Sequence, residues 1–182
     1  MLLKGPKVQL IPHDRQHWQY LARWFYESAY RDMWRHLPRA LTQQDFENYP
    51  QLINGQVFFV MRHGGTEPIG FTQIIPDCKT NRAFFAGLLI DKQFQKKLYP
   101  AEVFSILFDY AFNRWGYQKA IVEVCETNES LNKLLRKMNF TQEGVLHKEA
   151  FLNGEFINEV RYCMMAADFN RIFKPMVETW VG

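Results

Sequence analysis

Hydrophobic positions along this chain change rhythm in a way that names its elements. Residues 83–90, AFFAGLLI, are an unbroken apolar run, too short for an ordinary helix, and predict a strand buried on both faces. Gly87 inside that run marks either a bulge or the close approach of another group. A polar, basic loop follows at 91–99, and Pro100 stands where a helix can start. Residues 101–115 are apolar almost all round, with Ser105, Asp109 and Asn113 as the polar stripe, which predicts a mostly buried helix. Buried strand, tight loop and buried helix together frame a seat for a phosphate-bearing ligand at a helix N-terminus.

The rest of the chain supplies the partners. Alternation over 7–12, with Val8 and Leu10 on one side, predicts a first, edge strand. Asp14 can cap a helix whose one face carries Trp18, Leu21, Ala22, Phe25 and Ala29, and 42–53 predicts a second, shorter helix. Residues 56–62 and 69–75 read as strands joined by the turn His63-Gly64-Gly65-Thr66. Another strand is expected at 119–125, then a helix with the stripe Leu131, Leu134, Leu135 and Met138, closed by Asn139 in a left-handed conformation. Strands at 144–151 and 156–165 flank Asn153-Gly154, and 166–180 is helical but interrupted by Pro175. The expected order is β-α-α-β-β-β-α-β-α-β-β in a single domain spanning 1–182, with a core at 7–165 and a helical segment at 166–182.

Composition narrows the class. A length of 182 residues with 47% hydrophobic and 16% aromatic content fits one well-packed domain. A formal charge of +3 is too small to argue for nucleic acid, and it points away from a polyamine substrate. No apolar run approaches the roughly 20 residues of a membrane span, and the start of the chain lacks a signal-peptide core. Cys78, Cys125 and Cys163 are odd in number and widely spaced, which suits reduced thiols in a cytoplasmic protein. The five histidines show no metal-ligand spacing, so no metal is expected.

Residues 91–102, DKQFQKKLYPAE, resemble without a gap the acyl-CoA loop of the GNAT N-acetyltransferases, Gln/Arg-x-x-Gly-x-Gly/Ala, whose backbone N–H groups hold the CoA pyrophosphate. Gln95 matches its first position and Glu102 a frequent later one, whereas Lys96, Leu98 and Pro100 occupy the glycine positions. The hairpin FLNGEFINEVRYCMM resembles that of acetyltransferases acting on ribosomal-protein N-termini and their small-molecule relatives, with Phe156 and Asn158 at the aromatic and acidic positions. With the element order and Trp24 in the first helix, the resemblance covers about residues 7–165. It implies an α/β (α+β) GNAT fold, a mixed, mostly antiparallel sheet flanked by helices. It also implies acetyl-CoA as co-substrate and direct attack by a primary amine belonging to a protein N-terminus, an amino sugar or another small amine. It leaves room for a homodimer.

The resemblance assigns cofactor contacts to Leu88, Leu89 and Ile90 on the strand, to Gln95, Lys96, Lys97, Leu98, Tyr99 and Ala101 at the loop and helix start, and to Asn128. Each has a plainer role open to it. Gly87 can relieve crowding, Asn128 can simply cap a helix, and Lys96 and Lys97 can be solvated. Glu123, mid-strand, matches a carboxylate used as base, and burial there would raise its pKa toward a useful range; alternatively it faces solvent or pairs with Lys119. Leu131 and Leu135 fall where the family carries its acid and cannot donate a proton, which leaves Tyr99 and Tyr162 as substitutes. Pro100 has no N–H to give and Leu98 restricts close approach, so Lys96 and Lys97 would replace dipoles with charge. Two functions follow: an N-acetyltransferase, or a GNAT-fold protein that has lost efficient CoA use and serves as a binding or assembly module.

Overall fold

In the computed structural model, which describes residues 3–37, 40–80, 82–95 and 98–181, the apolar runs pair into one eight-stranded sheet. Its strands are β1 (Leu3–Lys4), β2 (Val8–Pro12), β3 (Gln56–Arg62), β4 (Pro68–Pro76), β5 (Ala83–Ile90), β6 (Lys119–Cys125), β7 (Thr141–Leu152) and β8 (Glu155–Met165). They lie in the order β1-β2-β3-β4-β5-β6-β8-β7. Neighbours are antiparallel except β5 and β6. That pair is parallel because α4 (Tyr99–Asn113) returns the chain to the starting end, the crossover that parallel strands require.

Period-two alternation sends side chains to two cores, one on each face of the sheet. Phe58, Val60, Phe84 and Ile90 pack with Phe104, Phe108 and Phe112 of α4 and Leu135 of α5 (Glu129–Lys137). Phe169 and Val177 of α6 (Ala166–Ile172) and α7 (Lys174–Val181) join the same core. On the other face, Val57, Phe59, Phe71 and Leu89 meet Leu21 and Trp24 of α1 (Trp18–Tyr26), Tyr30 and Trp34 of a 3-10 segment (Ser28–Trp34), and Phe46 and Tyr49 of α2 (Gln43–Glu47) and α3 (Tyr49–Leu52). Trp24 is buried although it lies off the stripe predicted for its helix, because it stacks on Phe71.

Three details differ from the sequence pattern. Residues 8–12 are not an edge strand, since β1 pairs outside them; the edges are β1 and β7. The helix expected over 42–53 divides at Asn48, with Thr42 and Asp45 forming a capping box at its start. The last helical segment divides at Phe173.

Glu102 turns out to be architectural. Its buried carboxylate, in the first turn of α4, accepts the N–H groups of Lys7 at 2.7 Å and Val8 at 2.9 Å. Those bonds tie the start of β2 to the helix, and the anion also suits the positive end of the helix dipole. Gly5 makes room for it: a Cβ there would lie 2.5 Å from Glu102 Oε1. Glu102→Ala should therefore lower stability by about 2–3 kcal/mol through two orphaned N–H groups. The urea midpoint should fall while the denaturant slope stays unchanged.

Candidate active site

The site begins where a ladder stops. β5 and β6 pair at Ala83↔Lys119, Phe84↔Ala120 and Phe85↔Ile121 and then separate. β5 continues to Ile90 along β4, and β6 to Cys125 along β8. The wedge between them is a cleft of about 1100 Å³, with Leu88, Leu89 and Ile90 on one wall and Val122, Glu123, Val124 and Cys125 on the other. From residue 86 onward the peptide groups of β5 that face β6 have no strand partner. Gly87 sits two residues past the last pair, but it is not a bulge, because the β4–β5 register runs through it without a shift. What it accommodates is close approach: a Cβ on Gly87 would meet Met33 Cε at 2.8 Å and Gln73 Cγ at 2.9 Å.

The loop at the wide end is fastened at Asp91. Its Oδ1 accepts the Gln93 N–H, and its Oδ2 accepts from Arg23 at 2.7 Å and Trp24 at 3.3 Å. Gln95 donates to the Ile90 carbonyl at 2.7 Å and ties the loop back to β5. Gln95, Leu98 and Ala101 line the cleft as the resemblance implies. Tyr99 does not; it is buried in the core beneath α4. Lys96 and Lys97 lie outside the described residues. Among the described residues, the lysines that line the cleft are Lys92, and Lys133 and Lys137 on α5, and Arg31, Arg35 and Arg161 line it too.

Asn128 caps α5, its Oδ1 accepting the Leu131 N–H at 3.2 Å, while its Nδ2 donates to Asp32 at 3.0 Å. Both ends of the amide are therefore occupied by protein, which favours the capping role. Leu131 lines the cleft and Leu135 is core, so neither corresponds to an acid. Tyr162 is fully buried, donating to Asn132 and accepting from Arg136 on the far side of α5, and it does not reach the cleft.

Across the opening lies the 3-10 segment. At one end the Lys92 N–H donates to the Tyr30 hydroxyl at 2.9 Å. At the other, Arg35 donates to the Glu123 carbonyl at 2.9 Å and pairs with Glu159. Glu159 is 0% exposed, and its Oε2 has no hydrogen-bond partner among the described residues. Burial pushes the Glu159 carboxyl up, but hydrogen bonds and charge from His36 and Arg35 outweigh it and hold the pKa below its ordinary value. Glu123, half-buried in the cleft, pairs with Arg161 and not with Lys119. Arg161 Nε and Nη2 both reach Glu123 Oε1, the former at 2.8 Å, and Lys119 instead meets Glu143. Arg35, His36, Glu159 and Arg161 are the residues that the pattern missed. On β8, Glu159 and Arg161 alternate with Val160, Tyr162 and Met164 of the α4 core and so project to the opposite face; no apolar pattern marks Arg35 or His36.

Residues 7–141 match the family model described as an acetyltransferase (GNAT) domain, and the chain belongs to that family. It is 24% identical over 159 residues to spermidine N(1)-acetyltransferase of Escherichia coli K12, covering 86% of this chain and 85% of that protein. The fold matches the spermidine N-acetyltransferase of Vibrio cholerae in complex with CoA and spermine, with a TM-score of 0.79, 18% identity and coverage of 89% of this chain and 97% of the other. It also matches the RimL ribosomal L7/L12 alpha-N-protein acetyltransferase in complex with coenzyme A, with a TM-score of 0.78, 16% identity and coverage of 92% and 99%. Among the described residues no helix is long and apolar enough to cross a membrane.

Removing one partner of the Arg35–Glu159 pair leaves a charge in a dry site, so Arg35→Ala should cost about 3–5 kcal/mol of stability. Acid should test the same pair. Folding lowers the Glu159 pKa from an ordinary 4.5, so its contribution is complete above about that pH and is lost as the pH falls through the folded value. Urea midpoints taken from pH 7 to pH 3 should fall more steeply in the unmodified chain than in Glu159→Gln.

Proposed function

We propose that this chain moves an acetyl group from acetyl-CoA to a primary amine by direct attack of the amine on the thioester. The observation that carries the reading is the abrupt end of β5–β6 pairing at Phe85↔Ile121. It exposes a row of fixed peptide donors and acceptors along Leu88, Leu89 and Ile90, in a cleft deep enough for an extended amide-bearing arm. A thioester oxygen polarised by such preorganised N–H groups loses about 10²–10³ in rate for each donor removed. Both solved relatives named above hold CoA, which supports the same partner here.

The start of α4 suits a diphosphate. The positive end of its dipole lies where Leu98, Pro100 and Ala101 line the cleft, a lining that Lys92, Lys133 and Lys137 share. On the amine side, Glu123 meets the substrate. Arg161 takes only its Oε1, so the other oxygen is left to draw in an ammonium group. The carboxylates there are already engaged, Asp32 by Asn128, Glu123 by Arg161 and Glu159 by Arg35. That arrangement suits a singly charged amine, such as a chain N-terminus or an amino sugar, better than a polycation.

Calorimetric titration with acetyl-CoA should show binding that weakens markedly from low to high salt, because exposed lysines are screened whereas buried N–H contacts are not. Lys133→Ala with Lys137→Ala should remove much of that salt dependence. Absence of binding at any salt would favour the module that has lost CoA use. In a thiol-release assay with spermidine, glucosamine and a short peptide with a free N-terminus, turnover should favour the last two. Glu123→Gln should lower kcat/KM for the amine about 10–100-fold with acetyl-CoA affinity intact, the loss expected when one charged contact to substrate becomes neutral. Spermidine as the best of the three would overturn the proposed amine class.

A further inference from the structure

We propose that His36, oriented by the buried carboxylate of Glu159, takes the proton from the attacking amine; the assignment rests on the acetyl-transfer reading. His36 lines the cleft, and its side chain is 52% exposed. Its Nε2 lies 3.3 Å from Glu159 Oε1. With Nε2–H directed at that carboxylate, Nδ1 of the neutral ring is the acceptor. A ring nitrogen of His36 and carboxylate oxygens of Glu123 and Glu159 all lie within 4.8 Å of one another, so the ring stands beside the group that draws in the ammonium.

Three observations favour this ring over Glu123. Glu123 shares an oxygen with two nitrogens of Arg161, so protonating it weakens an ion pair, whereas the neutral imidazole gives up nothing when it accepts. Glu159 is buried, and its anionic form is favoured by Arg35 and His36, so a negative charge stands ready behind the ring. The ring's outer edge is open to water, which gives the proton an exit. The charged groups that face it are Asp32 and Arg35 from its own segment, Glu123 from β6, and Glu159 and Arg161 from β8. Read as a metal site, the same three side chains fit poorly, because Arg35 and Arg161 already neutralise both carboxylates.

The step balances as follows. The ammonium gives one proton to Nδ1, and the freed nitrogen lone pair attacks the thioester carbon. The C–N bond forms, the C–S bond breaks, and the second N–H proton passes to the departing thiolate. His36 then returns its proton to solvent. Positioned general bases of this kind contribute about 10²–10⁴ in rate.

The test uses the full chain, acetyl-CoA and the three amines named above. His36→Gln should lower kcat by about 10²–10⁴ with acetyl-CoA affinity unchanged by calorimetry. Added imidazole should restore part of the activity of His36→Ala, which a merely structural histidine would not allow. A chelator should leave the unmodified rate alone. Transfer by the unmodified chain with an unchanged kcat in His36→Gln, or activity lost to chelation and restored by zinc, overturns the base assignment while leaving acetyl transfer standing. No transfer to any of the three amines overturns both.

Discussion

The parting of β5 from β6 is the constraint that the rest of the molecule answers to. A parallel pair stripped of its ladder after three positions leaves peptide groups that must find other partners or water. The fold solves this differently on the two sides of the wedge. β5 stays fully paired to β4 up to Ile90, and β6 stays fully paired to β8 up to Cys125, so each strand keeps one intact ladder and remains straight. The two cores fill both faces behind them, and the unpaired edges are left facing a cleft and not a void. Rigid walls with unmet hydrogen-bonding capacity are what a ligand with its own amides can use.

The 3-10 segment fixes how wide that wedge stands. Tyr30 and Met33 lie against β5, and Asp32 and Arg35 against the β6 side, so one short stretch of chain touches both walls. Gly87 permits the crossing, because any side chain there would collide with Met33 and Gln73. Arg35 is the costly member: a guanidinium 9% exposed must be repaid by geometry, and Glu159 with the carbonyls of Asp32 and Glu123 does so. A segment held by a desolvated ion pair has few alternative positions, and His36 inherits that rigidity from its neighbour.

Sequence reasoning reached the frame because the frame is a matter of periodicity. The run 83–90 became β5, 119–125 became β6 to the residue, Asn128 capped α5, and Asn139 took a φ of 57°. The opening between β5 and β6 has no mark in the apolar pattern. The charges were less legible, since residues far apart in sequence meet only across the opening: Arg35 with Glu159, Glu123 with Arg161. No apolar pattern links an arginine in an aromatic stretch to a glutamate on an alternating strand until the fold brings them together. The role of Glu102 was hidden for another reason. It sits in the loop's motif, yet its carboxylate is turned toward β2.

The glycine-free loop shows why a missing motif residue is not by itself a missing function. Glycine is required where φ is positive or where a Cβ would block the ligand. Among the described loop residues, 91–95 and 98–101, none has a positive φ, and the Leu98 side chain is 71% exposed, turned out to solvent. Pro100, in the first turn of α4, lacks an N–H at a position well suited to proline. Among the described residues, a helix N-terminus and Lys92, Lys133 and Lys137 line the cleft, and on the proposed reading they would attract an anion through a dipole and through screened charge. Such a seat gives up the tight backbone nest of a glycine loop but keeps its place, because Leu98, Pro100 and Ala101 line the cleft between β5 and β6.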